Sequence, residues 1–450
     1  MRVDVLIYGM NYAPELTGVG RYSGELARGL ADKGLKVEVI TTSPHYPGWF
    51  VRPPYSAWRY HRETVNGVRV IRCPIAVRRA GRGVWRLIAP LTFALASAPV
   101  AAWRILRSRP RAVLCVEPTL LVAPLALVMA RLVGARTALH VQDLEVDAAF
   151  AVGHLPGGGL IAWLAYAFER ALLKRFQAVV TISHAMAKAL EEKGVERRRV
   201  QIVRNWVDTS RIRPLAGSNG YRAELALAGD DSVVLYAGQI GAKQALHRVF
   251  EAAERLKDRP GVVFVIAGEG PLKARFTARY GKLPNVRLLD LQPEERLNEL
   301  LNLADCHILP QDPAVKDLVL PSKLGGMLAS GRPVLVVADD DSELALFVGR
   351  SCVRLPPDRI AQLDAALLDM FRRRAGTDAT SRRARLALAK SLNFRLAVDA
   401  FADILKAAPA QHVASAPQTS SALHLGAVEP ASQRGKRGLS SAAEPLQSEP

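Results

Sequence analysis

The stretch VDVLIYGMNYAPELTGVGRYSGELARGLADKGLKVEVITT, residues 3–42, decides the fold class. Val3 to Tyr8 alternates into an apolar run that stops at Gly9, the pattern of a parallel-sheet strand. A loop carrying Gly18, Gly20 and Arg21 follows, then a helical segment from Tyr22 to Lys33 closed by Gly34, then the next strand, Val37 to Thr42. Strand, helix and strand in this order make a βαβ unit. Its glycine-bearing loop lies beyond the carboxyl end of the first strand, where open α/β sheets bind ligands. The spacing is not the dinucleotide fingerprint GxGxxG and no acid ends the second strand, so a nicotinamide cofactor is not expected.

Outward from this unit the alternation repeats. Val68–Cys73, Ala112–Glu117, Thr137–Val141, Ala178–Ser183 and Val200–Val203 read as strands. Leu120–Val133, Gly157–Arg175 and Ala185–Glu192 read as helices among them. A linker rich in turn formers, Asp208–Tyr221 with Pro214, Gly217, Ser218 and Gly220, ends the series. A second alternation has strands at Val233–Tyr236, Val262–Ala267, Val286–Leu289, Cys306–Leu309, Val334–Val337 and Cys352–Leu355. Arg359–Phe371 and Ala379–Leu405 are the last helices. A chain of 450 residues is too long for one ordinary core. Two consecutive doubly wound domains are predicted, residues 1–208 and 209–390, followed by a closing helix over 391–407. Residues 408–450 are dominated by Pro, Ala, Ser and Gln and are expected to be disordered.

Composition narrows the partners. Four scattered cysteines speak against a disulfide framework or a zinc site and for a reducing compartment. Asp4 comes too early for a signal peptide, so a cytoplasmic chain is expected. The formal net charge is +19, and Arg52–Arg111 contributes +12 of it, with thirteen arginines, no lysine and the single acid Glu63. Such a concentration calls for an anionic partner: nucleic acid, anionic lipid or a phosphorylated substrate. No nucleic-acid module or aromatic-basic strand pattern accompanies it, so nucleic acid is not expected. Inside it lies LIAPLTFALASAPVAAW, residues 87–103, uncharged, flanked by arginines and interrupted by Pro90 and Pro99. It is short for a bilayer-spanning helix of about 20 residues. It reads either as an interfacial anchor on an anionic membrane or as a core helix with solvated ends.

Four places carry chemistry. DLVLPSKLGGMLASGRP, residues 317–333, puts Ser322 and Lys323 at a helix start, which is an anion site or a plain surface helix. AGQIGAK, residues 237–243, is a turn with Gly238 and Lys243, and GEGP, residues 268–271, is a second glycine turn with Gly268 and Gly270. His140 and Asp143, with Glu145 and Asp147 close by, stand at a strand end, as a catalytic cluster or as helix capping. Pro44–Tyr60, with Tyr46 and Trp49, reads as an aromatic loop over the ligand face.

Taken in order, YAPELTGVGRY, TISHAMAKAL, IVRNWVD, YAGQIGAKQ, IAGEGP, ADCHILPQ and PSKLGGMLASGRPV resemble the retaining, nucleotide-sugar-dependent glycosyltransferases of the family-four type. These have the GT-B architecture, two Rossmann-like domains facing a central cleft, and the resemblance covers about residues 1–405. It is closest to the exopolysaccharide branch, where PSK, LASGRP and HVQDLEVD recur together. The resemblance implies sugar transfer, without a metal or other cofactor, from a nucleoside-diphosphate donor to a polyprenyl-diphosphate-linked saccharide. By analogy the donor is a GDP-sugar such as GDP-fucose, the pathway exopolysaccharide, capsule or colanic-acid-type biosynthesis, and the place the inner face of the cell membrane.

Carried onto this chain, the resemblance puts Gly18, Gly20, Gly238, Lys243, Gly268, Gly270, Ser322 and Lys323 at the donor. It puts His140 and Asp143 at the transferred sugar, and Arg21, Tyr46 and Trp49 at the acceptor. Two departures stand out. Gln239 occupies a position where many members carry arginine, and the family's paired glutamates would fall at Leu318 and Gly326. Asp317 or Glu343 is left as a stand-in for the missing carboxylate. A sugar-nucleotide epimerase of the same fold and a non-catalytic sugar-nucleotide-binding homologue are the alternatives.

Overall fold

The computed structural model describes residues 2–15, 18–46, 48–78, 85–151, 159–241, 244–311, 321–373 and 378–406. The tail expected to be disordered, 408–450, lies outside them. The first half contains, in order, β1 (Val5–Tyr8), α1 (Gly18–Asp32), β2 (Val37–Thr42), β3 (His61–Val65), β4 (Val68–Cys73), α2 (Trp85–Ser108) and β5 (Ala112–Glu117). It continues through α3 (Ala123–Val133), β6 (Arg136–Val141), α4 (Glu145–Ala151), α5 (Gly159–Leu173), β7 (Ala178–Thr181), α6 (His184–Glu192) and β8 (Val200–Ile202). The strands form one sheet in the order β3-β4-β2-β1-β5-β6-β7-β8, parallel except for β3. Its central strands are buried at every residue, which is why they read as largely apolar, with Glu38 and Glu117 as the acids among them. Helices α2, α3, α5 and α6 pack in one core on one face. Helix α1 covers the other face.

The second half runs α7 (Gly220–Glu224), β9 (Ser232–Ala237), α8 (Leu246–Arg255), β10 (Val262–Ala267), α9 (Lys273–Tyr280), β11 (Val286–Leu289), α10 (Leu297–Asn302) and β12 (Cys306–Leu309). Then come α11 (Leu324–Ala329), β13 (Val334–Val337), α12 (Glu343–Val348), β14 (Val353–Leu355), α13 (Leu363–Arg373), α14 (Ala379–Ser391) and α15 (Phe394–Lys406). Its six parallel strands are ordered β11-β10-β9-β12-β13-β14. That is the doubly wound order expected.

Several elements differ from the sequence reading. Helix α1 begins at Gly18, so Gly18 and Gly20 belong to the helix and not to the loop before it. β3 is an additional antiparallel edge strand. Helix α2 runs unbroken through Pro90 and Pro99. Its side facing the sheet, Ala89, Phe93, Ser97, Ala101 and Ile105, is buried at four-residue spacing, and that packing outweighs two missing amide donors. Residues 379–405 are two helices, separated at Asn393, where the chain pairs with Val207. Part of the arginine run is structural. Buried Arg72 donates to Glu63, Thr42 O and Ala13 O, while Arg69 and Arg104 both pair with buried Glu38.

The halves are joined by two crossings of the chain that hydrogen-bond to each other. Val207 N donates to Leu392 O at 2.8 Å, and Phe394 N to Val207 O at 3.1 Å. Helix α15 then returns to the first half and lies on α1, where a Cβ added to Gly29 would come 2.5 Å from Val398. Two further contacts link helix N-termini. Tyr22 Oη, in α1, donates to Ser322 O at 3.3 Å. Glu343, first in α12, accepts from His184 N and Ala185 N of α6 at 2.9 and 2.8 Å and from Arg204 Nη1 at 2.6 Å. In parallel α/β units a helix starts beside the carboxyl end of the preceding strand, so these contacts turn the carboxyl edges of the two sheets toward each other.

Glu343 is therefore committed to this interface and is not free to replace a donor-binding carboxylate. Burial alone would raise its carboxyl, but the two amides and Arg204 outweigh burial and hold it below the usual range. Glu343→Ala is expected to cost about 2 kcal/mol, read as a lower urea midpoint at neutral pH. The stabilisation is complete above the ordinary glutamate pKa and is lost as pH falls through the depressed folded value. The gap between wild type and variant should thus close on acidification; a gap independent of pH would sink this account of Glu343.

Candidate functional site

Strand order in the second sheet reverses between β9 and β12, and ligands of open α/β sheets bind outside the carboxyl ends at such a point. The loop leaving β9 opens at Gly238, and the loop leaving β10 contains Gly268 and Gly270; all three have positive φ. The two loops stack backbone on backbone, Gly238 N donating to Ala267 O at 2.9 Å and Ile240 N to Glu269 O at 2.8 Å. A Cβ on Gly268 would stand 1.9 Å from Gly238 O, and one on Gly270 2.2 Å from Ile240 O. These two glycines are needed so that the loops can meet, which is a structural demand that precedes any ligand.

Gly238 makes room for Lys323. A side chain there would begin 3.2 Å from Lys323 Cε and Nζ. Lys323 reaches from the start of α11 to Tyr236 Oη in β9 at 2.5 Å, with its Nζ 4.2 Å from the ring centroid. No acid pairs with it among the described residues. Burial lowers its pKa to about 7. A desolvated lysine at the switch point, held by one phenol, is equipped to receive an anion. Its neighbour Ser322 is exposed, and the Ser322 carbonyl takes the Tyr22 hydroxyl across the interface. Helix α11 has six residues, and both of its glycines are closely packed. A Cβ on Gly325 would lie 3.1 Å from Val207 Cβ, and one on Gly326 3.1 Å from Leu301 Cδ1. Lys243, the other cation expected at the donor, lies outside the described residues.

Opposite, the N-terminal loop is organised by a residue the sequence reading passed over. Buried Glu15 accepts from His45 N and Tyr46 N through Oε1, and from Asn11 Nδ2 through Oε2, each at 3.0 Å. It presses on α1 so closely that a Cβ on Gly20 would sit 2.4 Å from Oε2. Gly20 thus yields space to Glu15. Gly18, at φ +62°, opens α1 in the left-handed region and faces the Tyr46 ring. Trp49 meets His45 edge to face, 5.8 Å between centroids, and packs against the first core. Arg21 is turned along its own helix to Glu25 at 2.8 Å. The acid in APELTG was the available signal, since an acid amid turn-forming residues needs donors.

His140 is not where the sequence reading put it. It belongs to β6 one residue before the end, and alternation turns it to the α1 side of the sheet. Its ring packs edge-on against Phe401 of α15, 4.9 Å between centroids, and both nitrogens are buried without hydrogen-bond partners among the described residues. Burial lowers its pKa to about 3, so it stays neutral in the core and cannot answer to a sugar. Asp143 does lie past the strand end, half-buried. Near it are Glu117, which ends β5, and Glu145, which opens α4. Burial, then Glu145 and Glu169, raises the Glu117 carboxyl well above the usual range; Glu145 is raised as well, by burial first and Asp143 last. Glu117 accepts from Glu145 N at 3.3 Å, and Glu145 from Thr119 N and Leu120 N at 2.9 and 2.8 Å. An acid ending an otherwise apolar strand was the cue for Glu117.

Residues 17–206 match the family described as glycosyl transferase 4-like domain, and residues 218–340 the family described as glycosyl transferases group 1. The chain is 42% identical, over 362 residues, to the Escherichia coli (strain K12) protein designated colanic acid biosynthesis glycosyl transferase WcaI. That match spans 79% of this chain and 87% of the relative. Among solved structures, sucrose-phosphate synthase from Thermosynechococcus elongatus is similar at TM-score 0.68 and 15% identity, over 90% of this chain and 98% of the other. Anabaena HepE in complex with UDP and glucose is similar at TM-score 0.63 and 12% identity, over 89% and 99%. At such identities the likeness is one of fold, the two-Rossmann GT-B architecture seen above. With the halves matched in order and a relative aligned along most of its length, the chain belongs to the glycosyltransferases of the GT-B fold.

Proposed function

We propose that the protein transfers a sugar from a nucleoside-diphosphate donor to a lipid-linked saccharide in exopolysaccharide assembly of the colanic-acid type, with retention and without a metal. The observation that carries the donor half is Lys323, desolvated and without an acid at the switch point of the second sheet. Glycosyl transfer breaks the bond between the anomeric carbon and a diphosphate oxygen, and the leaving group needs its growing charge stabilised. Lys323 supplies that charge, together with Lys243, which follows β9 in the sequence, and backbone amides of the glycine loops. A fold neighbour that carries UDP and glucose is in keeping with a nucleotide-sugar donor. The acceptor saccharide enters from the first half, between the Glu15-ordered loop with Tyr46 and the carboxyl ends of β5 and β6 with Asp143. The lipid arrives from an anionic membrane at the inner face of the cell, against which the apolar side of α2 lies.

Lys323 separates a functional role from a structural one. Between pH about 7 and the ordinary lysine value, the unfolded chain holds a proton that the folded chain lacks, so stability rises with pH through that window. Lys323→Met should remove this rise and melt higher than wild type at pH 7. It should also lower kcat/KM about a hundredfold, roughly 3 kcal/mol of lost leaving-group stabilisation. Wild-type donor affinity should weaken as pH rises above about 7, and the variant's should not. A variant that melts lower and turns over normally would make Lys323 a packing residue.

The reaction is tested by incubating the protein with a panel of nucleoside-diphosphate sugars, with and without a lipid extract, and measuring nucleotide release. Release that requires lipid and persists in excess EDTA is expected. Release without lipid would favour an epimerase or hydrolase, and tight donor binding without release a non-catalytic homologue.

A further inference from the structure

The exposed apolar side chains of the first half gather on one layer of helices. Helices α2, α3 and α5 bury Phe93, Ala126 and Leu172 in the same core, on the same face of the first sheet. Their outward sides carry Leu95 and Trp103, Val128 and Leu132, and Trp163 and Leu164, each more than half exposed. Large apolar side chains repeated across neighbouring helices are a surface that water does not suit.

The charges around this layer have a sense. Each of these helices connects parallel strands, so its C-terminal end lies by the N-terminal rim of the sheet. Exposed Arg107 is in the last turn of α2 and Arg109 just past it, Arg131 is in the last turn of α3, and Arg170 is in the last turn of α5 with Arg175 just past it. None of the five has an acidic partner among the described residues. Nearby Arg111 and Arg198 are already paired, with Asp4 and Glu196. An apolar helical face with exposed tryptophans and an unneutralised arginine rim is complementary to an anionic lipid surface.

We propose that the bilayer contact is this three-helix surface, with α5 as a second anchor independent of α2. The inference rests on the reading that the acceptor is lipid-linked, and it specifies how the protein sits. Helix α2 is the one described helix long and apolar enough to cross a membrane, at Ile88–Ser108, yet its inner side is part of the sheet's core. It lies on the membrane and does not span it. With the helical layer flat on the lipid, the carboxyl edge holding Asp143 opens along the membrane plane, where a lipid-borne saccharide would be presented.

The test is flotation of the full chain with vesicles of phosphatidylcholine alone or with one third phosphatidylglycerol. Wild type should float with the anionic vesicles and poorly with the neutral ones. Leu95→Ala with Trp103→Ala, and separately Trp163→Ala with Leu164→Ala, should each lower the bound fraction at least tenfold while circular dichroism stays unchanged. Arg170→Glu with Arg175→Glu should remove the preference for phosphatidylglycerol. Brominated lipid should quench wild-type tryptophan emission, and Trp163→Phe should lose part of that quenching. Wild-type-like flotation of the α5 pair, with loss confined to the α2 pair, would overturn the second anchor and leave membrane binding standing. A lipid-free dimer that the α5 pair converts to a monomer would mean that a second copy covers the face, and would overturn it too. Failure of wild type to float, with transfer to a detergent-dispersed acceptor intact, would overturn the surface while sparing the transferase reading.

Discussion

The two chain crossings at Val207 and at Leu392–Phe394 are the constraint on which the rest of the structure depends. Separate linkers would leave the two sheets free to turn. Here each crossing supplies hydrogen-bond partners for the other, and Asn393 Nδ2 adds a bond to Thr209 Oγ1 at 2.7 Å. Close approach on either side needs glycine. Gly325 of α11 leaves room for Val207, and Gly29 of α1 leaves room for Val398 of α15. Trp206, just before the crossing, packs on Tyr22 and Phe401 and donates to Glu25 at 2.7 Å. Each half therefore lends a helix or a side chain to the other's core. The facing of the carboxyl edges follows from that exchange.

Other desolvated cations show how Lys323 differs from the rest of the molecule. Lys193 is buried but meets Glu169 and Asp147, the latter at 2.7 Å. Arg385 is buried and donates to Ser351 O and Gly331 O at 2.9 and 3.1 Å. Arg72 has a carboxylate and two carbonyls. For Lys193 and Arg72 the loss of water is offset by a carboxylate, and for Arg385 it is offset in part by two carbonyls, burial still lowering its pKa. Lys323 has one neutral phenol. Its depressed pKa is the trace of that shortfall, and a shortfall at a switch point beside two stacked glycine loops is the local inconsistency that marks a site.

Most of the strands were legible in the sequence because parallel strands covered on both faces are largely apolar, and each such run is bounded by glycine or a polar turn. What failed failed for identifiable reasons. His140 was grouped with Asp143 by proximity in sequence, but one residue along a strand changes the face, and only the residues beyond Val141 leave the sheet. Gly18 and Gly20 looked like loop glycines because nothing local reveals that Glu15 lies against Gly20. The partners of Glu343 stand 139 to 159 positions away, so its role could not be read from its surroundings. The prolines in α2 were weighed against a helix in water, and the packing of Phe93 and Ile105 on the sheet reverses that balance.

The same packing sorts the arginines that dominated the composition. Charge alone could not say which of them face a partner. Arg69, Arg72 and Arg104 belong to the sheet's own acids, so a basic run becomes a binding surface only where it outlasts those pairs. It outlasts them at the C-terminal ends of the helices, away from the carboxyl edge where Lys323 and Glu15 are held. Parallel α/β construction separates the two automatically, since helices start at one rim of the sheet and end at the other. A surface made of helix flanks and helix ends can therefore meet the proposed anionic boundary without drawing its lipids into the site, and a site made of helix starts remains open to the diphosphate proposed for it.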